Sequence, residues 1–145
     1  MQFIAQLDLG ERSLLVFMCQ NDPGLCDEWA ATGGGNRALL VARRGLVEMA
    51  APSSGVTTLG AEFYGQLAET APEGTRRVVL GIWGGEPDWL QGDDTPRCPG
   101  CEQEMSFVAQ LEEGPDHRYS ANFGGGCGYA FACDGCEQAL FLWQQ

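Results

Sequence analysis

CPGCEQEM, Cys98–Met105, returns further along the chain as CDGCEQAL, Cys133–Leu140. A Cys-X-Gly-Cys-Glu-Gln block written twice, with residues 102–132 between the two cysteine pairs, has the spacing of two metal-binding knuckles. Each Cys-X-X-Cys pair can form a tight turn whose backbone N–H groups point at sulfur, with Gly100 and Gly135 easing the dihedrals. Four thiolates about 2.3 Å from one ion make a closed tetrahedral site. Cys98, Cys101, Cys133 and Cys136 are therefore expected to hold one Zn2+ in a zinc-ribbon-like arrangement. Such a site has no free position at which to activate water, so its expected role is structural. Two redox pairs or disulfides, or an iron site, remain the alternatives.

The echo extends past the cysteines. MSFVAQLEE (Met105–Glu113) matches MQFIAQLDL (Met1–Leu9), so that Phe107, Ala109, Gln110 and Leu111 fall on Phe3, Ala5, Gln6 and Leu7. GYAFACDGC (Gly128–Cys136) matches LLVFMC (Leu14–Cys19) plus Cys26, which places Phe131 over Phe17 and Cys133 over Cys19. Strand, turn, strand and cysteine recurring in one order indicate an internal duplication. The expected fold is mainly β, a β-rich α+β domain of duplicated antiparallel sheets with approximate two-fold symmetry. One domain over 1–145 is expected, with halves at about 1–50 and 98–145 joined by 51–97.

The 21 glycines and short apolar runs between turn residues support strands over a helical bundle. FIAQLDL (Phe3–Leu9) alternates, with Phe3, Ala5, Leu7 and Leu9 on one face, and LLVFMC is apolar enough to be buried on both faces. Together they predict a hairpin turning at Gly10-Glu11-Arg12. ALLVA (Ala38–Ala42) and GLVEMA (Gly45–Ala50) bracket a second turn at Arg43-Arg44. Glu62–Ala71 is the best helix candidate, and RRVVLGIW (Arg76–Trp83) predicts another strand.

The length of 145 residues suits one core. No apolar run approaches the roughly 20 residues of a membrane helix. The start MQFIAQLDLG lacks the basic region and long apolar core of a secretory signal, so a soluble, cytoplasmic protein is expected. Eight basic against twenty acidic residues give a formal charge of −12, which opposes phosphate backbones and anionic lipid. Nucleic acid and membrane are thus poor partners, and a basic protein a better one.

The other cysteines offer less. Cys19 and Cys26 are the first-half counterparts of Cys133 and Cys136, but nothing before Phe3 supplies a partner knuckle, which leaves an orphaned half-site read as two free thiols, with a disulfide or a metal site completed by another residue as the alternatives. Cys127, in GGGCGY (Gly124–Tyr129), reads as a core or turn residue; a nucleophile would need a base, and the single histidine is His117, in the polar loop GPDHRY. Asp22, Asp27, Glu28, Asp93 and Asp94 show no full calcium loop and read as solvated carboxylates. The two Gly-Gly-Gly runs lack any phosphate-loop setting and read as bends.

GGEPDWLQ (Gly84–Gln91) before the first cysteine pair, followed by FVAQL, YAFAC and LFLWQ, resembles the YwqG-like bacterial family. It is also similar to the eukaryotic family around programmed cell death protein 2, with Gly84, Gly85, Pro87, Trp89 and Gln91 matching the shared signature. LLVFMCQNDPGLCDEW (Leu14–Trp29) likewise resembles that family's cysteine-bearing strand. The eukaryotic resemblance implies a chaperone that holds a basic ribosomal protein of the small subunit; this chain is much shorter and lacks that family's additional knuckles. The bacterial resemblance implies the fold and the metal. Trp89 is expected beside the knuckle as a packing anchor, with partner binding as its other reading.

The function expected from these features is a zinc-stabilised protein-interaction domain, chaperone-like toward a basic client, rather than an enzyme. The alternatives are a thiol redox protein or enzyme using Cys19, Cys26 or Cys127, and a nucleic-acid-binding zinc ribbon. An exposed sheet edge would also permit a dimer.

Overall fold

The computed structural model describes residues 1–22, 24–47, 64–69, 79–114, 116 and 121–145. Seven strands run in chain order: β1 (Gln2–Asp8), β2 (Arg12–Met18), β3 (Asn36–Ala42), β4 (Gly81–Trp83), β5 (Ser106–Glu112), β6 (Cys127–Cys133) and β7 (Gln138–Gln144). They form two antiparallel sheets, ordered β1-β2-β3 and β4-β5-β6-β7. The only helical turns among the described residues are short 3-10 turns at Arg43–Gly45 and Asp134–Cys136. The molecule is mainly β.

The duplication is visible residue by residue in the ladders. In the first sheet Gln2 faces Met18, Phe3 faces Phe17 and Ala5 faces Val16, with a bulge between Phe3 and Ala5. In the second, Ser106 faces Ala132, Phe107 faces Phe131 and Ala109 faces Ala130, with a bulge between Phe107 and Ala109. A bulge inserts one residue and re-aims what lies beyond it, so its recurrence at one position fixes the same register in both halves. The third strands of the two meanders, β3 and β7, lie against each other. Equivalent strands in mutual contact are the arrangement an approximate two-fold produces.

The bulge also corrects one expectation. Phe3 does not share a face with Ala5, Leu7 and Leu9. Past a bulge the period-2 alternation changes phase, so Ala5, Leu7 and Leu9 pack toward the core while Phe3 sits on the other face with Phe17. The hairpin turn is where expected: Leu9 N–H donates to Arg12 O at 2.9 Å, and Gly10 N–H to the Asp8 carboxylate at 2.9 Å. β2 is buried on its core face and half-buried on the other, not buried on both.

The core between the sheets holds Leu14, Val16 and Met18 from β2, with Ala130, Ala132, Phe141 and Trp143 from β6 and β7. Asn36 ties the sheets by a polar link: its side-chain amide donates to Phe141 O at 3.0 Å and also to Glu28 O.

Three elements differ from the sequence reading. Residues 64–69, inside the expected helix, are not helical, and the helix ends lie outside the described residues. The turn at Arg43-Arg44 is present, but Leu46 and Val47 do not continue into a strand, and 48–50 lie outside the described residues. Of the strand expected over Arg76–Trp83, 76–78 lie outside the described residues, Val79 and Leu80 are not in a strand, and Gly81–Trp83 form β4. The loop carrying His117 lies outside them as well. Among the described residues no helix is long and apolar enough to cross a membrane.

Candidate metal centre

The second sheet brings the cysteine pairs together through its connectivity. β5 starts just after the first pair and β6 ends on Cys133, and because the two strands are antiparallel with Ser106 facing Ala132, the start of one lies beside the end of the other. The first pair sits in a small hairpin closed by an antiparallel bridge between Arg97 and Glu104. Inside it, Cys98 N–H donates to Gln103 O and Glu102 N–H to Cys98 O, both at 2.8 Å. The second pair is wound into the 3-10 turn that joins β6 to β7, with Glu137 N–H donating to Asp134 O at 3.3 Å.

The thiol sulfurs of Cys98, Cys101, Cys133 and Cys136 all lie within 4.8 Å of one another. A tetrahedron of sulfurs about 2.3 Å from a central ion has edges of about 3.8 Å, and the Cys101 and Cys133 sulfurs are 3.8 Å apart. Gly100 N–H donates to the Cys98 sulfur at 3.4 Å. The donor set therefore fits a closed four-thiolate metal site, in which a bound ion would cross-link the two knuckles. Cys98 is 1% exposed and Cys101 faces solvent, so the cluster lies at the surface with one ligand anchored inside.

The glycines of the two knuckles are not equivalent. A Cβ on Gly100 would sit 3.1 Å from the Cys136 sulfur and 3.3 Å from its Cβ, whereas a Cβ on Gly135 meets nothing within 4 Å. A side chain at Gly100 would crowd the Cys136 thiol, and one at Gly135 would not. The strained dihedrals expected at the glycines fall one residue past each pair, at Glu102 (φ 61°) and Glu137 (φ 52°).

The electrostatics suit a shared ion. Burial opposes ionisation of Cys98, yet the N–H groups of Gly100 and Cys101 and the neighbouring thiols bring it down to about 7. The Cys101 and Cys98 thiols, with burial, push Cys136 up to about 12. For Cys133 the Cys136 backbone N–H favours the thiolate, but the Cys98 thiol, burial and Cys101 outweigh it and raise the thiol. One thiolate forms readily and resists the next, an opposition that a cation among them removes.

Trp89 stands beside this centre. Its ring lies 4.6 Å from Tyr129 and stacks on Phe131 at 6.0 Å, and the three belong to one buried cluster with Cys98 and Met105. The loop carrying it is clamped by side chains that the sequence reading did not single out. Asp88 N–H donates to Gln110 Oε1 at 2.9 Å, Gln91 N–H donates to Gln144 Oε1 at 2.9 Å, and Tyr129 Oη donates to Asp88 O at 2.9 Å. Gln110 is 3% exposed. Its one sequence signal was identity with Gln6 in the repeat.

The remaining candidates lie apart. Cys26 is followed by Asp27 at φ 54°, close to the 52° of Glu137 after Cys136. The Cys19 thiol is the main cause raising the Cys26 pKa. Among the described residues the metal-compatible group is the four-cysteine cluster, and these two thiols are not in it. Asp22, Asp27, Asp93 and Asp94 are exposed. Glu28, expected in solvent, is instead 1% exposed, with its carboxylate accepting from the N–H groups of Gly24 and of Cys26, the latter at 2.9 Å. Those N–H groups converge because the loop closes on itself, which spacing alone does not report. Cys127 is buried and donates to the Glu112 carboxylate at 3.1 Å; burial and then Glu112 push its pKa up to about 11.

No family model matches the chain, and no solved structure matches it. A Salmonella typhimurium protein named "Uncharacterized protein YpfL" is 39% identical over 64 residues, which is 43% of this chain and 14% of that protein. The chain thus spans only a small part of that relative's length.

Proposed function

We propose that this chain is a zinc-stabilised protein-interaction domain that holds a basic client in chaperone-like fashion. The observation that carries the reading is the closed four-thiol cluster: four sulfur ligands complete a tetrahedral ion and leave no position for substrate or water. The soft thiolate set selects zinc over harder ions. The net charge of −12 supports a cationic partner, as does the resemblance of Gly84–Gln91 to the programmed cell death protein 2 family. The thiol-enzyme reading wants a depressed pKa outside the cluster, and both Cys26 and Cys127 are raised instead. The nucleic-acid reading has the charge against it.

The test is affinity capture on the metal-loaded protein at low and high ionic strength, followed by calorimetry with each purified candidate. A basic protein that binds the purified chain, with affinity falling as salt rises, supports the reading. Failure to enrich any protein at low salt overturns it.

A further inference from the structure

The internal repeat shows what one exposed edge of this molecule accepts. In the second half the edge of β5 is covered. β4 pairs on it antiparallel, with Gly81 facing Leu111, Ile82 facing Gln110 and Trp83 facing Ala109. The pairing is extended by Gly84 N–H to Val108 O at 2.8 Å and Glu112 N–H to Leu80 O at 3.0 Å. The chain then folds over the outer face of the sheet, where Gln110 accepts the Asp88 N–H and Trp89 lies on Tyr129 and Phe131.

In the first half the equivalent edge carries no strand among the described residues. β1 is the outer strand of its sheet, with β2 on one side only. By the shared register its outward backbone groups are Ile4 O, Gln6 N–H and O, and Asp8 N–H, the counterparts of Val108, Gln110 and Glu112. Gln6, identical to the buried clamp Gln110, is exposed and makes no side-chain hydrogen bond among the described residues. Leu15 and Phe17, which occupy the places of Tyr129 and Phe131, are half-buried, and Phe3 is 44% exposed. β1 carries no lysine or proline to blunt pairing and one charge, Asp8, at its end.

We infer that β1 is a docking edge for an extended segment of another protein, which adds antiparallel as an eighth strand beside Gln6 and lays an aromatic side chain over Leu15 and Phe17. The chemistry of the segment is that of β4 and its continuation: a short apolar strand, a glycine turn and a tryptophan. Charge decides between a foreign segment and a second copy. Two chains of −12 repel each other, whereas the sequence leading into β4 begins with Arg76-Arg77. Main-chain pairing supplies affinity in this mode and the alternate side chains supply selectivity. This inference rests on the partner-binding reading and names the surface for it.

The experiment adds a synthetic peptide copying residues 76–91, RRVVLGIWGGEPDWLQ, to the full metal-loaded chain and follows amide hydrogen exchange and binding affinity. The expected result is slowed exchange at Gln6 and Asp8, with affinity at least about tenfold weaker for Gln6→Pro, which removes an outward N–H but no inner ladder bond. Gln6→Ala, which loses only the side-chain clamp, weakens binding less, and guards against Gln6→Pro failing to fold. Unchanged exchange at Gln6 and Asp8 under saturating peptide overturns the proposal, as does protection that falls on β5 through displacement of β4. A concentration-dependent dimer with β1 protected in the absence of peptide overturns it in favour of a second copy. Capture of a client whose footprint lies away from β1 sinks the edge while sparing the partner reading. Peptide binding on β1 with no client found does the reverse.

Discussion

The ring of Phe3 meets the ring of Phe17 edge-on, with centroids 5.7 Å apart and planes at 65°. Phe107 meets Phe131 in the same way, at 5.8 Å and 65°. Each pair faces across its ladder immediately before the bulge. Edge-to-face aromatic pairs add about 0.5–1.5 kcal/mol beyond the area they bury, and here they pin the bulge that sets the register of each half. The halves part company around these pairs: Phe131 is roofed by Trp89, and Phe17 is not.

Protein purified without added metal should carry about one zinc per chain. Cys98→Ser should lose the metal, whereas Cys19→Ser should keep it, because Cys19 lies outside the four-sulfur cluster. Native mass spectrometry checks both. Chelation should unfold the knuckles and raise hydrogen exchange in β5 to β7 ahead of β1 to β3.

The two knuckle glycines should respond differently to one methyl group. Gly100→Ala drives a Cβ to 3.1 Å from the Cys136 sulfur and should weaken metal binding by about tenfold, equivalent to about 1.4 kcal/mol. Gly135→Ala meets nothing and should stay within a factor of about two. Competition against a chromophoric chelator reads both, and equal losses would remove the packing account.

Trp89→Ala removes a ring stacked on Tyr129 and Phe131 and should cost about 2–4 kcal/mol, seen as a lower denaturation midpoint. Trp83→Ala, at an exposed ring, should stay within about 0.5 kcal/mol. A small effect at Trp89 would return it to the partner-binding reading.

Cys127 should resist alkylation near neutral pH. Its pKa stands at about 11 against an ordinary 9.0, so the folded protein favours the neutral thiol. The resulting stability is present below pH 9.0 and is lost as pH rises toward 11. At neutral pH its thiolate population should be about a hundredfold below that of an unperturbed cysteine. Labelling followed by peptide mass analysis from neutral pH to pH 11 checks this, and rapid neutral labelling would revive the enzyme reading.

Glu28→Ala should leave the part-buried N–H groups of Gly24 and Cys26 without their carboxylate acceptor and cost about 1–2 kcal/mol in chemical denaturation. A loss below about 0.5 kcal/mol would mean that water replaces the carboxylate.

The duplicated strands, the hairpin at Gly10, the four clustered cysteines and the acidic balance were all legible in the chain, because each is carried by spacing, periodicity or composition. Local rules of this kind act over a few residues and recur wherever the same letters recur. The bulges that turn Phe3 away from Leu7, the burial of Glu28, the clamping of Asp88 by Gln110 and the difference between Gly100 and Gly135 were decided by the tertiary structure. Each depends on which distant backbone group arrives beside the residue. Gln6 and Gln110 make the point most directly: one residue type in one repeat position is exposed on β1 and buried on β5, because β4 and the loop after it cover β5.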